Sequence, residues 1–191
     1  RCKVNTTILV PGREAIMREA IDVNEYAPTI LRELPKGVLL TTKADGRTNT
    51  MTIGWGALGI EWSTPVFIAY VRDSRYTHGL IEKTGEFTVN VPLRTGDADY
   101  DKRVKAILAT CGTKSGRDMD KVAELGLTLV EGEKVDVPAI KELPLTLECR
   151  VIYKREQDVS LLPEALREKY YATDGVHSEY YGEIVSAYLL K

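Results

Sequence analysis

The sequence is poor in the residues that build metal centres and disulfide frameworks. Its 191 residues include three cysteines, Cys2, Cys111 and Cys149, and two histidines, and no two cysteines form a C-x-x-C pair. Zinc, iron–sulfur and disulfide-framework sites therefore lack their usual ligands, and no metal site is expected. We expect Cys149 on the apolar face of a strand and Cys111 in a loop beside Gly112, as a buried thiol. This cysteine usage fits a reducing, cytoplasmic setting.

The sequence also lacks an excess of charge and long apolar runs. Lys and Arg total 26 against 28 Asp and Glu, which gives a net charge of −2. A protein that binds nucleic acid or an anionic membrane usually carries a clear basic excess. No apolar run approaches the length of a membrane span, and the N-terminus lacks a signal-peptide pattern. Neither nucleic acid nor a membrane is therefore an expected partner.

The hydropathy pattern predicts a mainly β protein with peripheral helices. Strands are predicted at 37–42, 66–71, 87–91, 145–153 and 179–190, with one more around Asn49 and Met51. Helices are predicted at 13–21, 28–34, 74–83, 97–109, 118–125 and 163–170, with Ser74 capping the third and Gly85 following it. Because hairpin turns link short strands and the helices are inserted between them, an antiparallel barrel is favoured over a doubly wound parallel sheet.

Two familiar motifs occur in the wrong context. Residues 54–59 match G-x-G-x-x-G, but a dinucleotide site needs this motif to open a helix. Only five residues separate Gly59 from Pro65, where another strand begins, so we reject a Rossmann site. Residues 97–101 resemble the start of a calcium loop but have Lys102 and Leu108 where the loop requires Gly and Glu. We therefore expect these acidic residues to form the first turn of a helix.

Three polar segments are candidates for binding a phosphate-bearing, flat cofactor. The first, 48–59, carries Trp55 between two glycines; the second, 74–77, opens a helix with hydroxyls and Arg75; the third, 113–117, is basic and precedes a helix. Helix N-termini with nearby guanidinium groups bind phosphates. Each segment alone is explained as well by a capped helix or an exposed hairpin. Their joint presence favours a cofactor site.

The order of several motifs resembles the flavin reductase-like family, in particular its flavoredoxin group. The motifs are Asn49-x-Met51-Thr52-x-Gly54-Trp55, Arg75-Tyr76-Thr77, Gly85-Glu86-Phe87-x-Val89-Asn90-Val91-Pro92, Cys111-Gly112-x-Lys114-Ser115-Gly116-Arg117-Asp118-x-Asp120-Lys121 and Gly182-Glu183-Ile184-Val185. The resemblance spans roughly residues 34–190. It implies an antiparallel, Greek-key-like, FMN-binding split β-barrel in residues 34–191, preceded by an N-terminal helical extension in residues 1–33. It also implies a homodimer with FMN near the subunit interface.

The same resemblance implies a set of cofactor contacts. Residues near the end of the second strand would wrap the flavin, those at the helix start would meet its phosphate, and the remainder would lie near the ring or ribityl chain. In that order these are Asn49, Thr50, Met51, Thr52, Gly54 and Trp55; Ser74, Arg75 and Thr77; and Asn90, Lys114 and Ser115. Tyr76 is a further implied cofactor contact. A bound flavin would supply the redox chemistry, which explains why no acid–base dyad is visible in the sequence.

His177 is the candidate catalytic residue. Family members carry Gly-Asp-His near the last strand, whereas residues 174–177 here read Asp-Gly-Val-His, so Val176 departs from the pattern. His177 could orient a nicotinamide, protonate a reduced ring, or act only as a structural hydrogen-bond partner.

Three functions remain open at this point. The first is an oxidoreductase that passes electrons from NAD(P)H through FMN to free flavin, a ferric chelate or a redox protein. The second is a flavoredoxin-like carrier with tightly bound FMN and no direct NAD(P)H reaction, which the Val176 departure favours. The third is a binding module without flavin.

Overall fold

The computed structural model describes residues 5–8 and 15–191, which form antiparallel strands with helices packed around them. The strands are β1 Asn5–Ile8, β2 Ile16–Ala20, β3 Val38–Ala44, β4 Arg47–Ile53, β5 Gly56–Glu61, β6 Thr64–Arg72, β7 Glu86–Val91, β8 Leu129–Val130, β9 Ala139–Ile140, β10 Leu145–Glu156 and β11 His177–Leu190. The helices are α1 Val23–Glu33, α2 Tyr76–Thr84, α3 Ala98–Thr113, α4 Lys121–Glu124 and α5 Glu164–Tyr171. Short 3-10 turns lie at Leu34–Lys36 and Val159–Leu161.

The main sheet branches at β11. The sheet order is β1-β2-β11-β10-β7-β3-β4, and the β5–β6 hairpin attaches to β11 through β6. The first half of β11 pairs with β6, from His177 opposite Arg72 to Glu183 opposite Val66, and its end pairs with β2. Among the described strands β1 and β4 do not pair with each other, so the barrel is split rather than closed. The predicted mainly β, antiparallel split-barrel fold is confirmed.

The core lies on both sides of β3, which is buried along almost its whole length. Successive side chains of a strand point to opposite faces, and both faces of β3 are covered. Leu40 packs in the main cluster with Phe67 and Phe87, while Leu39 packs in a second cluster with Ile107 of α3. The strand therefore holds α3 on one side of the sheet and the barrel core on the other.

The N-terminal region differs from its prediction. The predicted helix at 13–21 is wrong, because Ile16–Ala20 forms β2. Every second residue at the start of this strand, Ile16 and Arg18, is buried, and the strand pairs with the end of β11. The next helix starts before Pro28: Asp22 caps α1 by accepting from the Asn24 backbone N–H at 2.9 Å. Residues before 34 therefore contain two strands as well as a helix. A domain boundary at residue 34 stays a prediction.

Two local predictions around the later helices are also corrected. Ser74 does not cap α2: the N-cap is Arg75 without a side-chain bond, and the Ser74 hydroxyl donates instead to Asp174 Oδ1 at 3.0 Å. Cys111 is not in a loop, because α3 continues to Thr113 and buries the thiol in the second cluster. The prediction that Gly85 ends α2 is confirmed by its left-handed φ of 66°. Residues 56–61 form strand β5, which agrees with rejecting a Rossmann helix.

Candidate functional site

Two cavities meet along β4 and form one cleft. The first, of about 240 Å³, lies between β4, the start of α2 and the segment that follows α3; we call it the basic end. The second, of about 190 Å³, runs from Met51 to Trp55 and reaches β6 and His177; we call it the Trp55 end. Both cavities are lined by Met51, Thr52 and Arg75, so a ligand could extend from one into the other.

The basic end has the chemistry of an anion site. Four cationic side chains line it, and none of the described residues that line it is acidic. These cations are Arg75, Lys114, Arg117 and Lys121. The N-terminus of α2 opens into the same cavity with no side chain capping it. Free backbone N–H groups and the helix dipole favour a negative group there, so cations and helix act on the same ligand position.

Hydrogen bonds join the three polar segments into one frame. Asn49 Nδ2 donates to Thr77 Oγ1 at 2.9 Å, which ties β4 to α2. Arg47 Nη2 donates to the Gly116 carbonyl at 2.6 Å, and Arg117 Nη1 donates to the Ser74 carbonyl at 3.2 Å. The guanidinium carbons of Arg47 and Arg117 each lie 5.5 Å from the centre of the Tyr76 ring.

Gly116 is required by the close approach of this frame. A Cβ at that position would lie 2.0 Å from Asn49 Oδ1 and 2.8 Å from Tyr76 Cδ1. Only a residue without a side chain lets the segment after α3 come this near to β4. The glycine therefore sets the width of the basic end.

The buried pair Cys111 and Lys121 forms the floor of the basic end. Burial raises the pKa of the Cys111 thiol to about 11, although the nearby Lys121 ammonium lowers it somewhat. Burial lowers the pKa of Lys121, whose Nζ donates to the Cys111 carbonyl at 3.3 Å. The thiol therefore stays protonated at neutral pH and is a poor nucleophile or redox group.

His177 is held as a neutral imidazole at the Trp55 end. Burial and, after it, the charges of Arg72 and Arg75 lower its pKa to about 4, although the nearby carboxylates act to raise it. The Tyr171 hydroxyl donates to Gln157 Oε1 at 2.7 Å, so it accepts from His177 Nδ1 at 2.9 Å. The hydroxyl has one proton, which fixes the tautomer with Nδ1–H and leaves the lone pair on Nε2.

An ion-pair network fixes the segment before β11 against the start of α2. Asp174 Oδ2 lies 3.0 Å from Arg75 Nη2 and 3.4 Å from Arg72 Nε. Burial acts to raise the pKa of Asp174, but the Ser74 hydrogen bond and the two arginines outweigh it and lower the pKa. Arg72 also donates to the backbone carbonyls of Tyr170, Asp174 and Gly175. This network keeps Arg75 at the junction of the two cavities.

Most of the predicted site residues meet in this cleft. Those that line one or both cavities are Asn49, Met51, Thr52, Gly54, Trp55, Ser74, Arg75, Tyr76, Thr77, Lys114, Ser115 and His177. Thr50 and Asn90 are not brought there. Thr50 is fully buried and bonded to Thr41 Oγ1 at 3.0 Å, because strand alternation turns it away from Asn49. Asn90 is fully buried on β7, two strands from β4, and donates to Thr146 Oγ1 at 3.0 Å.

Several residues of the site were not predicted from the sequence. Tyr70 and Arg72 line the Trp55 end from β6, Arg117 and Lys121 line the basic end, and Arg47 and Gly116 shape it. Tyr70 and Arg72 are two apart on one strand, so they share a face, and this spacing was the available signal. Arg117 and Lys121 stood within a recognised motif without an assigned role.

The described part of the chain has neither a helix that could span a membrane nor a cluster of metal-ligating side chains. Within residues 5–8 and 15–191, no helix has both the length and the apolar character needed to cross a bilayer. The same residues contain no group of three or more His, Cys, Asp or Glu side chains placed to hold a metal ion.

Comparison with known proteins identifies the family. A family model described as the flavin reductase like domain matches residues 31–191. The chain belongs to this family. An uncharacterized protein of Archaeoglobus fulgidus is 40% identical over 138 residues, which are 72% of this chain and 70% of that protein. The family is one of flavin-related redox proteins, as the motif order predicted.

Two solved flavoredoxins share the fold of this flavin reductase-like chain. The structure from Desulfovibrio vulgaris (Miyazaki F) is 28% identical with a TM-score of 0.60, covering 80% of this chain and 68% of that one. The structure from Methanosarcina acetivorans is 29% identical with a TM-score of 0.61, covering 80% of this chain and 67% of that one. The split-barrel fold is therefore shared with proteins of the flavoredoxin group.

Proposed function

We propose that this chain binds FMN, with the phosphate at the basic end of the cleft and the flavin toward the Trp55 end. The observation that carries the proposal is the meeting of four cationic side chains and an uncapped helix N-terminus in one cavity without a lining carboxylate. A dianionic phosphate matches this donor set, because charge-assisted hydrogen bonds from guanidinium and ammonium groups are among the strongest in proteins.

The shape of the cleft fits a ligand that is charged at one end and flat at the other. Gly116 lets the basic segment approach β4 closely, while Gly54 and Trp55 supply backbone and an aromatic face at the opposite end. Arg75 belongs to both cavities and would contact the phosphate end. When bound, FMN would supply hydride and single-electron chemistry, so the chain needs no acid–base dyad of its own.

His177 acts as a positioning residue in this proposal rather than as an acid. With a pKa of about 4, its imidazole carries no transferable second proton at neutral pH. The Nε2 lone pair can accept a hydrogen bond from a donor substrate, and Tyr171 holds the ring orientation through Nδ1. Of the two chemical roles predicted for His177, orientation of a nicotinamide agrees with this charge state and protonation of a reduced ring does not.

We propose further that NAD(P)H supplies the electrons and that FMN passes them to an acceptor such as free flavin, a ferric chelate or a redox protein. The second candidate is a flavoredoxin-like carrier that a protein donor reduces. Val176, in place of the family's Asp before the histidine, favours this second candidate because it removes a charged group beside His177.

A single absorption experiment distinguishes these two candidate functions. The protein is incubated with FMN, desalted, and its visible spectrum recorded; NADPH or NADH is then added without oxygen. A retained flavin spectrum that bleaches with a nicotinamide supports the oxidoreductase. A retained spectrum that bleaches only with dithionite supports the carrier. If no flavin is retained and FMN fluorescence does not change on titration, the flavin proposal is wrong.

We also propose a cytoplasmic homodimer. Aromatic residues gather near the tip of the β5–β6 hairpin: the exposed Trp62 ring lies 5.8 Å from the exposed Tyr153 and 6.1 Å from the half-buried Tyr181. A cluster of this kind is typical of a protein–protein contact. The buried free thiols Cys111 and Cys149 suit a reducing compartment. Light scattering after gel filtration should give twice the mass of the chain, and a monomer at micromolar concentration would contradict the dimer.

A further inference from the structure

A third cavity, of about 400 Å³, adjoins the Trp55 end and is roofed by α5. We call it the α5 pocket. It shares Gly54, Trp55 and Tyr70 with the Trp55 end, so the two cavities have a common wall. Leu162 and Leu166 close it on the side of α5. Its size lies within the roughly 300–1,000 Å³ that small-molecule sites occupy.

The wall of the α5 pocket is aromatic and uncharged. None of the described residues that line it is a Lys, Arg, His, Asp or Glu. The Tyr170 ring stands edge-on to Trp55 at a centroid distance of 5.1 Å, and Tyr70 adds a phenol. Burial raises the pKa of Tyr70, which keeps its hydroxyl a neutral donor at pH 7. Aromatic faces with a few neutral donors suit a flat molecule that carries carbonyl oxygens.

Cations next to the pocket are already engaged. Lys169 Nζ lies over the Tyr170 ring at 4.9 Å from its centre. Arg72 donates to the Tyr170 carbonyl at 2.7 Å and pairs with Asp174. A phosphate entering the α5 pocket would therefore lose its hydration without gaining a free cation, which is unfavourable. A phosphate group is therefore disfavoured inside the α5 pocket, and a neutral occupant is favoured.

We propose that the α5 pocket binds a neutral, planar aromatic molecule of the quinone class, which accepts electrons from the cleft. The binding stands on the pocket itself, whereas the acceptor role rests on the FMN binding proposed above. The quinone would take up two electrons and two protons to become the hydroquinone, and bound FMN would supply them by passing from its reduced to its oxidised form. The shared wall at Trp55 and Tyr70 places the two reactants next to each other.

Menadione, a neutral two-ring quinone, is the probe. In a Trp62→Phe background, Trp55 is the remaining tryptophan, and its ring is 42% exposed on the pocket wall. We expect saturable quenching of Trp55 fluorescence by menadione. Leu166→Asp puts a carboxylate at a half-exposed position of the wall, where bound menadione would cover it and remove its water, so the Kd should rise about tenfold.

Leu161→Asp is the matched control. Leu161 precedes α5, is 82% exposed and does not line the pocket. The Kd of the Leu161→Asp variant for menadione should therefore stay within about twofold of the parent value. Circular dichroism checks that both variants fold. Quenching that rises linearly without saturation, or an equal Kd in the two variants, would overturn the proposal. A lack of quenching would overturn it as well.

FMN affinity is measured separately on the same proteins by flavin fluorescence. Both Asp variants should bind FMN like the parent, because neither residue lines the basic end or the Trp55 end. Saturable menadione binding without FMN binding would refute the proposed function and the acceptor role, but would support the α5 pocket as a binding site. FMN binding without saturable menadione binding would refute the α5 pocket as a quinone site and leave the proposed function standing.

Discussion

Replacing Arg75 by alanine removes the one described cation that lines both cavities of the cleft. A hydrogen bond to a charged group contributes about 1.5–3 kcal/mol. In the free protein, however, Arg75 pairs with Asp174 at 3.0 Å, and this half-exposed pair contributes about 0–1 kcal/mol that phosphate binding partly gives up. The net loss for Arg75→Ala is therefore about 1–2 kcal/mol, or roughly a 5- to 30-fold weaker Kd for FMN.

The companion variant Asp174→Asn should act in the opposite direction. It keeps the oxygen that accepts from Ser74 but removes the charge that holds Arg75, so FMN affinity should rise by up to about fivefold. Arg32→Ala, at an exposed position on α1, is the neutral control. The assay is an FMN fluorescence titration at low ionic strength. Unchanged affinity in Arg75→Ala would refute the assignment of Arg75 to the phosphate. Weaker binding in Asp174→Asn would show that the ion pair positions Arg75 for the phosphate and does not compete with it.

Three further variants or treatments test the rest of the site. Since the pKa of His177 falls from about 6.5 unfolded to about 4 folded, its contribution to stability is present above pH 6.5 and is lost toward pH 4. Between pH 8 and pH 5, the free energy of unfolding measured in urea should fall by about 2 kcal/mol more in the parent than in His177→Gln. An equal fall in the two proteins would contradict the buried neutral state of His177. Cys111 should resist iodoacetamide at pH 8 until denaturant is added, as read by peptide mass spectrometry; rapid labelling of the folded protein would disprove its burial. Gly116→Ala should weaken FMN binding at least about tenfold, because the added methyl group displaces Asn49. Gly59→Ala is the control, since its added methyl group meets no other atom and should leave the affinity unchanged. Equal FMN affinities in the two variants would show that Asn49 and its neighbours can move aside without loss of binding.

The sequence was most informative where several signals coincide along the chain. Alternation of apolar residues predicted β10, and a high content of Tyr and Val predicted β11. The ordered polar motifs predicted most of the residues that line the cleft. These patterns are local in the sequence, so they can be interpreted without knowledge of the tertiary contacts. The turn residue Gly85 belongs to the same class, because a positive φ constrains the residue type directly.

Long-range pairing was the part that the sequence did not reveal. Over five residues, β2 fits a helical spacing as well as a strand, and its partner β11 lies at the other end of the chain. Asn90 was predicted near the flavin, but β3 stands between its strand and β4. Ser74 has the composition of an N-cap, yet Asp174, about a hundred residues later, takes its hydroxyl.

The charge state of His177 belongs to the same group. It depends on burial and on the arginines that surround the ring, and neither is visible in the residue's sequence neighbours. The α5 pocket also arises only when α5 packs beside the β5–β6 hairpin. These features therefore had to come from the three-dimensional arrangement.

Comparing the affinities of FMN and riboflavin tests the central claim most directly, because the two ligands differ only in the phosphate. Both are titrated against the same protein at low salt, and again with Arg75→Ala. If the basic end holds the phosphate, FMN binds at least about tenfold more tightly than riboflavin, and the difference shrinks in the variant. Equal affinities for the two ligands would contradict the account, since the four cations of the basic end would then take no part in binding.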